Sequence, residues 1–154
     1  MSVERRICSA PAAEDELVTR LRARPSLTDT LVRHGLPPEV PVETDRVYVV
    51  GVENLTRTRQ TQQGGRRERY ILPLVIESHS TGGQSDATAE SSRLEARARV
   101  WEIIDELEQE LHDDPELGLA DDSGVNTIQE VNTLPVADGW MCRAIVHVLV
   151  EAIV

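Results

Sequence analysis

The stretch that decides the fold is the last one, WMCRAIVHVLVEAIV at residues 140–154. Six of its fifteen residues are β-branched, and such side chains pack well on the pleated surface of a sheet. As a strand, it has a wholly apolar face of even-numbered residues and a half-polar face with Arg143, His147 and Glu151. A helix is the alternative, because these three residues are four apart and share one helical face. We predict a strand whose half-polar face is partly covered by another subunit.

Three further β-rich runs lie upstream of this strand. Residues 46–52 (RVYVVGV) and 69–78 (RYILPLVIES) are predicted to be antiparallel partners. Pro73 has no N–H for a sheet ladder, so the second run is expected at a sheet edge or with a bulge at this point. Residues 126–131 are predicted as another strand, which a turn at Asp138-Gly139 separates from the last one.

The N-terminal part of the chain carries a helical pattern. Residues 12–24 have apolar positions at helical spacing, and Pro25 is expected to end this helix. Residues 26–45 contain several prolines and are predicted as an irregular connection, with one helical turn around Leu31.

A much longer helix is predicted over residues 87–112. Its start is expected either at Asp86 or at a capping box formed by Ser92 and Glu95, and Pro115 and Gly118 are expected to close it. Apolar residues three and four apart predict its buried stripe: Leu94, Ala98, Trp101, Ile104, Leu107 and Leu111.

The predicted order of elements is helix, strand, strand, long helix, strand, strand, which indicates an α+β fold. We expect an antiparallel sheet of about four strands, with the long helix and the shorter N-terminal helix packed on one face. The length of 154 residues predicts a single domain over residues 1–154. Within it, residues 1–11 are expected to form a flexible arm and residues 53–69 a long polar loop.

The composition excludes several classes of protein. The net charge of −11 argues against wrapping nucleic acid, because phosphate binding needs a basic surface. All 16 basic residues are arginine, which we interpret as codon bias of a GC-rich genome, with a salt-adapted acidic proteome as the alternative. No stretch resembles a membrane span or a secretory signal. We therefore expect an intracellular product without membrane contact, in which Cys8 and Cys142 stay reduced.

No motif for catalysis, cofactor binding or metal binding is recognisable. The histidines at 34, 79, 112 and 147 share no metal-ligand spacing with one another or with the cysteines. The run from Thr81 to Asp86 lacks the Gly-Lys-Ser/Thr of a phosphate loop. The acidic residues between 113 and 122 lack the alternating ligands of a calcium loop. We expect no catalytic, cofactor-binding or metal-binding residues and no enzymatic activity.

Charge is distributed unevenly along the chain. Residues 53–69 contain five arginines against two glutamates, a local charge of +3, while the second half of the long helix and the loop after it are acidic. We hypothesise that the arginines of one subunit meet the acids of its neighbour in a head-to-tail contact that closes into a ring. The expected interface residues are Arg57, Arg59, Arg66, Arg67 and Arg69, then Glu106, Glu110, Asp113 and Asp114, and on the last strand Arg143, His147 and Glu151.

Four motifs occur in one order over about residues 12–154. They are a Val-Tyr-Val-Val-Gly strand after a short helix, an Arg-rich segment followed by Arg-Tyr-Ile-Leu-Pro-Leu-Val-Ile-Glu, a long helix ending in Asp113-Asp114-Pro115-Glu116-Leu117-Gly118, and two closing strands. This order resembles the tail terminator (tail completion, or minor tail) proteins of long-tailed bacteriophages. One departure is Leu119, which stands where a second glycine often follows Gly118.

The resemblance implies a ring, commonly of six subunits, in the tail or neck of a virion that assembles in the host cytoplasm. Such a ring caps the tail tube, stops its polymerisation and offers a surface to a head-tail stopper or connector protein. DNA in transit passes through its lumen without specific binding. The alternatives are another ring protein of the neck, a small cytosolic ligand-binding protein, and direct DNA binding through the arginine segment.

Overall fold

The computed structural model describes residues 8–35, 45–59, 66–81, 87–117, 122–136 and 139–153, and for residues 59 and 87–89 it describes the backbone only. The elements in chain order are α1 (Ala10–Ala23), a 3-10 turn (Pro25–Leu27), β1 (Leu31–His34), β2 (Arg46–Val49), β3 (Glu53–Arg59), β4 (Arg66–Thr81), α2 (Ala87–Asp113), β5 (Asp122–Val136) and β6 (Gly139–Ile153).

The fold is α+β, as predicted, but the described sheet has six strands rather than about four. Its order is β1-β2-β4-β6-β5, and β3 pairs with the first half of β4 on the same side as β2. All pairs are antiparallel except β1 with β2. The sequence missed β1 and β3 because neither has the apolar pattern of a strand, and their backbone hydrogen bonds depend on neighbours distant in sequence.

The segment 53–69, expected to be a long polar loop, is mostly strand. Residues 53–59 form β3 and residues 66–69 begin β4, with Thr56 in register with Arg69. Most side chains of β3 point into solvent, so burial leaves no periodic signal there. Residues 60–65 lie outside the described part of the chain.

The two long β-rich runs pair as predicted, with Val47 of β2 in register with Ile76 of β4. The expectation that Pro73 marks an edge or a bulge is wrong, because β4 is an interior strand and its register with β6 runs unbroken past this residue. The Pro73 carbonyl accepts the Val50 N–H at 2.9 Å. In an antiparallel strand a residue's N–H and C=O point to the same side, so the missing N–H of Pro73 faces the interval between β2 and β3.

The closing segment is a strand, as predicted, and one of its faces lies in the core. From Cys142 to Ala152 its even-numbered side chains are fully buried. They pack beside the buried even-numbered side chains of β4, from Tyr70 to Ile76. The strand predicted at 126–131 extends over 122–136. Of the predicted turn, Gly139 already begins β6, and Asp138 lies outside the described residues.

The long helix is confirmed, but its buried stripe is partly different. Ile104, Leu107 and Leu111 are buried as expected. Towards the N-terminus the buried line continues through Ile103, Val100 and Ala96, whereas Leu94 and Trp101 are each 41% exposed. Two apolar lines along the helix share the same C-terminal residues. The line that continues through Val100 and Ala96 faces the sheet, because its smaller side chains let the helix backbone approach closely.

The ends of both helices differ slightly from the predictions. α1 begins at Ala10, two residues before the predicted start, and the chain then turns through Pro25–Leu27 into β1. The helical turn expected around Leu31 is therefore wrong, since Leu31 begins a strand. Ser92 lies inside α2 and donates to the Thr81 carbonyl at 3.2 Å, so it is not a cap. Asp86 and Gly118 lie outside the described residues.

Candidate assembly surfaces

The acidic end of α2 is held by arginines of the same chain. Arg24 donates to Glu106 through Nε at 2.5 Å and to Glu110 through Nη1 at 2.5 Å. Arg20 bonds Asp114, and it also reaches Glu16 at 2.8 Å. The hydrogen bond from Arg24 lowers the pKa of Glu106 below its ordinary value. Three of the four carboxylates expected to meet a neighbouring subunit thus have partners within the chain.

These ion pairs explain why acids sit at the C-terminal end of a helix, where the macrodipole disfavours them. Arg20 in the last turn of α1 and Arg24 at its C-cap are four apart, and Glu106 and Glu110 are four apart on α2. The C-terminal end of α1 therefore faces one turn of α2. This matching spacing is a signal in the sequence that our charge analysis overlooked. Asp113, the fourth predicted carboxylate, is exposed and accepts only the Gln109 amide, at 2.8 Å, among the described groups.

The arginine segment is anchored by one buried carboxylate. Glu68, 1% exposed, accepts the Ser9 N–H at 2.9 Å and Arg57 Nε at 3.0 Å. Burial raises the pKa of Glu68, but hydrogen bonds from Cys8, Ser9 and Arg57 outweigh it and hold the pKa below its usual value. Next to it, burial raises the pKa of Tyr70 to about 12, although its hydroxyl shares a hydrogen bond with Ser9. Glu68 therefore links Arg57 of β3 to Ser9, the residue before α1.

The other predicted arginines divide into two groups. Arg69 lies 3.5 Å from Glu151 across β4 and β6, so two residues expected at an interface pair with each other. Arg66 and Arg67 are exposed and make no ion pair within the described part of the chain. Arg59 pairs with Arg66 in the backbone register of β3 and β4, and its side chain is outside the description.

The half-polar face of β6 carries its three predicted residues, each beside a partner in the same chain. Arg143 lies 3.5 Å from Glu77, and His147 Nδ1 lies 3.4 Å from the Gln129 amide. Glu77 is 2% exposed and also accepts Arg46 Nη2 at 3.1 Å. The sequence analysis missed Glu77 and Arg46, because each looks like an ordinary polar residue of a half-exposed strand.

A second feature that the sequence analysis missed is an open depression beside α2. We call it the α2 groove; its volume is about 570 Å³ and it is lined by Leu94, Arg97, Ala98, Trp101 and Val131. Contiguous apolar side chains exposed at a surface often mark a site of interaction. Three residues of the groove belong to the stripe that was predicted to be buried.

Within the described ranges, no three histidine, cysteine or acidic side chains come close enough to hold a metal ion. In the same ranges, neither helix is long and apolar enough to cross a membrane.

Among known proteins, similarity to this chain was found only with solved structures. No model of a protein family matches the chain, and no curated protein matches it. Among solved structures, the chain is similar to one in the "Virion of native gene transfer agent (GTA) particle", with 16% identity and a TM-score of 0.46, covering 95% of this chain and 96% of that one. A TM-score below 0.5 does not establish a shared fold, so the proposal below rests on this chain's own residues.

Proposed function

We propose that this protein is a tail terminator: a ring, of six copies, that caps the tail tube of a phage-like particle and stops its polymerisation. The observation that carries the proposal is that two surfaces on opposite sides of the sheet, one basic and one acidic, carry charges without an ion pair in the described chain. Arg66 and Arg67 project at the β3–β4 side without a carboxylate in the described chain. On the β5 side, Glu108, His112 and Asp122 line one open depression, and neither carboxylate has an ion pair among the described residues. A second copy can satisfy both.

The sheet topology suits a head-to-tail contact. β3 pairs only with β4 and β5 pairs only with β6 among the described strands, so each leaves one edge unpaired. The basic strand ends lie on one side of the sheet and the acidic depression on the other. A contact between two different surfaces is heterologous, and it closes into a ring when its rotation divides a full turn. Opposite charges at the two surfaces also fix which surfaces meet.

The resemblance to tail terminators supplies the role of such a ring. The motifs that carry it correspond to β2, β4, α2 and the β5–β6 pair. The proposed partners are the tail tube protein on one side and a head-tail stopper or connector on the other, and the proposed location is the tail or neck of a virion. A chain of net charge −11 lets DNA pass a lumen without being held.

The proposal is tested by mixing the purified protein with its tail tube protein during polymerisation. We expect native mass spectrometry to detect a closed ring, and electron microscopy to show shortened tubes at one ring per tube end. A stable monomer that leaves tube length unchanged would sink the proposal. A ring that forms but does not bind tube ends would favour another ring protein of the neck.

The charge contact has its own test in the variant Arg66→Glu. We expect folded monomers in place of rings, because the reversed charge repels the acidic side of the neighbour. Arg33→Glu is the matched control, since Arg33 is an exposed arginine of β1 that lies further along the strand direction. It aligns through Tyr48 with Val75 of β4. Rings that persist unchanged in Arg66→Glu would exclude this contact.

A further inference from the structure

We propose that the α2 groove is a docking site for a second copy of this chain and that it receives the start of the neighbour's β3. This inference rests on the ring proposed above and adds an apolar contact to it. We call Val52, Glu53 and Leu55 the β3 knob. The knob and the groove each combine exposed large apolar side chains with a charge that has no ion pair in the described ranges.

The groove has the composition of an interface core. Trp101 and Leu94 are both 41% exposed although they lie on a helix packed against the sheet. Tryptophan is the residue most enriched where binding energy concentrates, and it needs surrounding contacts that exclude water. Arg97 lines the groove, and Arg93 is exposed one turn before it. Neither arginine has an ion pair in the described ranges. The groove therefore suits a partner segment that combines a carboxylate with apolar side chains.

The knob is complementary in polarity and charge. Val52 and Leu55 are 37% and 42% exposed, and Glu53 is exposed beside them with no ion pair in the part of the chain described. The register of β3 with β4 shifts between Glu53 and Thr56, as at a β-bulge. Exposed apolar residues around one carboxylate are complementary to a groove of apolar residues around arginines.

The positions of both contacts agree with one assembly. The knob lies on the β3 side of the sheet and the groove on the β5 side, as a head-to-tail contact requires. Val131 aligns through β6 with Ile76, whereas Glu53 aligns with Ile71, so the groove lies five residues further along β4. That offset is about 17 Å at ~3.4 Å per residue.

The charge contact shows an offset in the same direction. Asp122 aligns through Glu151 with Arg69, which lies two residues beyond Arg67 on β4, or about 7 Å. If neighbouring copies are shifted along the strands by a distance between these two offsets, both pairs of surfaces meet. The long arginine and tryptophan side chains span what remains of each offset. In such an assembly the strands are inclined to the ring axis.

The test is a charge exchange between the two surfaces. Arg97→Glu and Glu53→Arg are each expected to raise the dissociation constant of the ring about tenfold, because each places like charges in contact. The double variant Arg97→Glu/Glu53→Arg is expected to recover most of the affinity. Dissociation is followed by native mass spectrometry on dilution of the full chain.

Truncation of the tryptophan tests the apolar half of the contact. We expect Trp101→Ala to weaken the ring about 30-fold, which corresponds to the loss of a typical hot-spot residue. Leu134→Ala is the matched control, because Leu134 is 44% exposed but lies outside the groove. Circular dichroism and thermal unfolding establish that each monomer is folded.

The outcomes separate this inference from the proposed function. If the unsubstituted chain forms no ring, the proposed function fails and this inference fails with it. If the ring forms but Trp101→Ala leaves it intact, or if the double charge variant is no better than the single ones, the groove contact alone is overturned.

Discussion

Two charged regions of this molecule look alike in sequence and behave differently in the structure. The acidic end of α2 is matched by Arg20 and Arg24 of α1, so its charges are satisfied within the chain. The start of β4 keeps Arg66 and Arg67 without an ion pair in the described structure. A run of like charge therefore does not reveal whether its partner belongs to the same chain or to another. Intrachain ion pairs distinguish a charged region that stabilises the monomer from a charged surface that is available for assembly.

The largest loss of stability is expected from Glu68→Ala, which removes a paired charge. This carboxylate is buried and accepts both the Ser9 N–H and Arg57. Its removal leaves a buried N–H without an acceptor, so we expect the free energy of unfolding in urea to fall by about 3 kcal/mol. Glu53→Ala, which removes an exposed carboxylate nearby, is expected to change it by less than about 0.5 kcal/mol. Equal effects of the two variants would contradict the division between paired and unpaired charges.

Arg24→Ala is expected to give the next largest effect. The side chain is 19% exposed and spans Glu106 and Glu110. Partial exposure weakens these ion pairs, so we expect a loss of about 1–2 kcal/mol in urea unfolding, reduced further by salt. A double-mutant cycle with Glu106→Ala isolates the pair. A coupling energy of zero would show that the helix pair does not depend on this contact.

Acidification provides a smaller test of the same contacts. The pKa values of Glu68 and Glu106 lie below their ordinary value of 4.5. A carboxylate with a lowered pKa in the folded state contributes stability that is complete above its unfolded pKa and is lost as the pH falls through the folded one. We expect stability to decline below about pH 4.5, and less steeply in Glu106→Gln. A variant with an unchanged pH profile would argue against the contribution of Glu106.

The smallest change in stability is expected from Arg66→Glu/Arg67→Glu. Both side chains are exposed and lack an intrachain ion pair in the described part of the structure. At a dilution where the unsubstituted chain is also monomeric, the free energy of unfolding should therefore change by less than about 0.5 kcal/mol. The same double variant should lose the ring, which separates assembly from folding in one molecule. A large loss of stability would instead show that these arginines serve the monomer.

Much of the fold follows from local patterns. The β-branched residues of 140–154 predict β6, the apolar spacing of 87–112 predicts α2, and the pairing of β2 with β4 follows from two adjacent β-rich runs. In each case the pattern records burial of one face, which is a property of neighbouring residues. β1 and β3 left no such pattern, because their pairing partners and not their side chains hold them in the sheet.

The structure divides the expected interface residues into two groups. Arg66 and Arg67 were among the expected interface residues and are unpaired in the described structure, whereas Arg57, Arg69, Glu106, Glu110 and Asp114 have intrachain partners. The α2 groove was not predicted, because we expected the largest apolar side chains of the helix to face the core. Ala96 and Val100 face it instead, because small side chains allow close packing on the sheet.

The sequence by itself determined the class of fold, the two long strands β4 and β6, the helix between β4 and β5, and the segregation of charge along the chain. These depend on periodicity and composition, which act over a few residues. The tertiary structure alone decided which acids are neutralised by α1, which side of α2 is buried and where Pro73 is tolerated. Each of those depends on elements far apart in sequence, and only their packing determines which groups meet and which remain exposed.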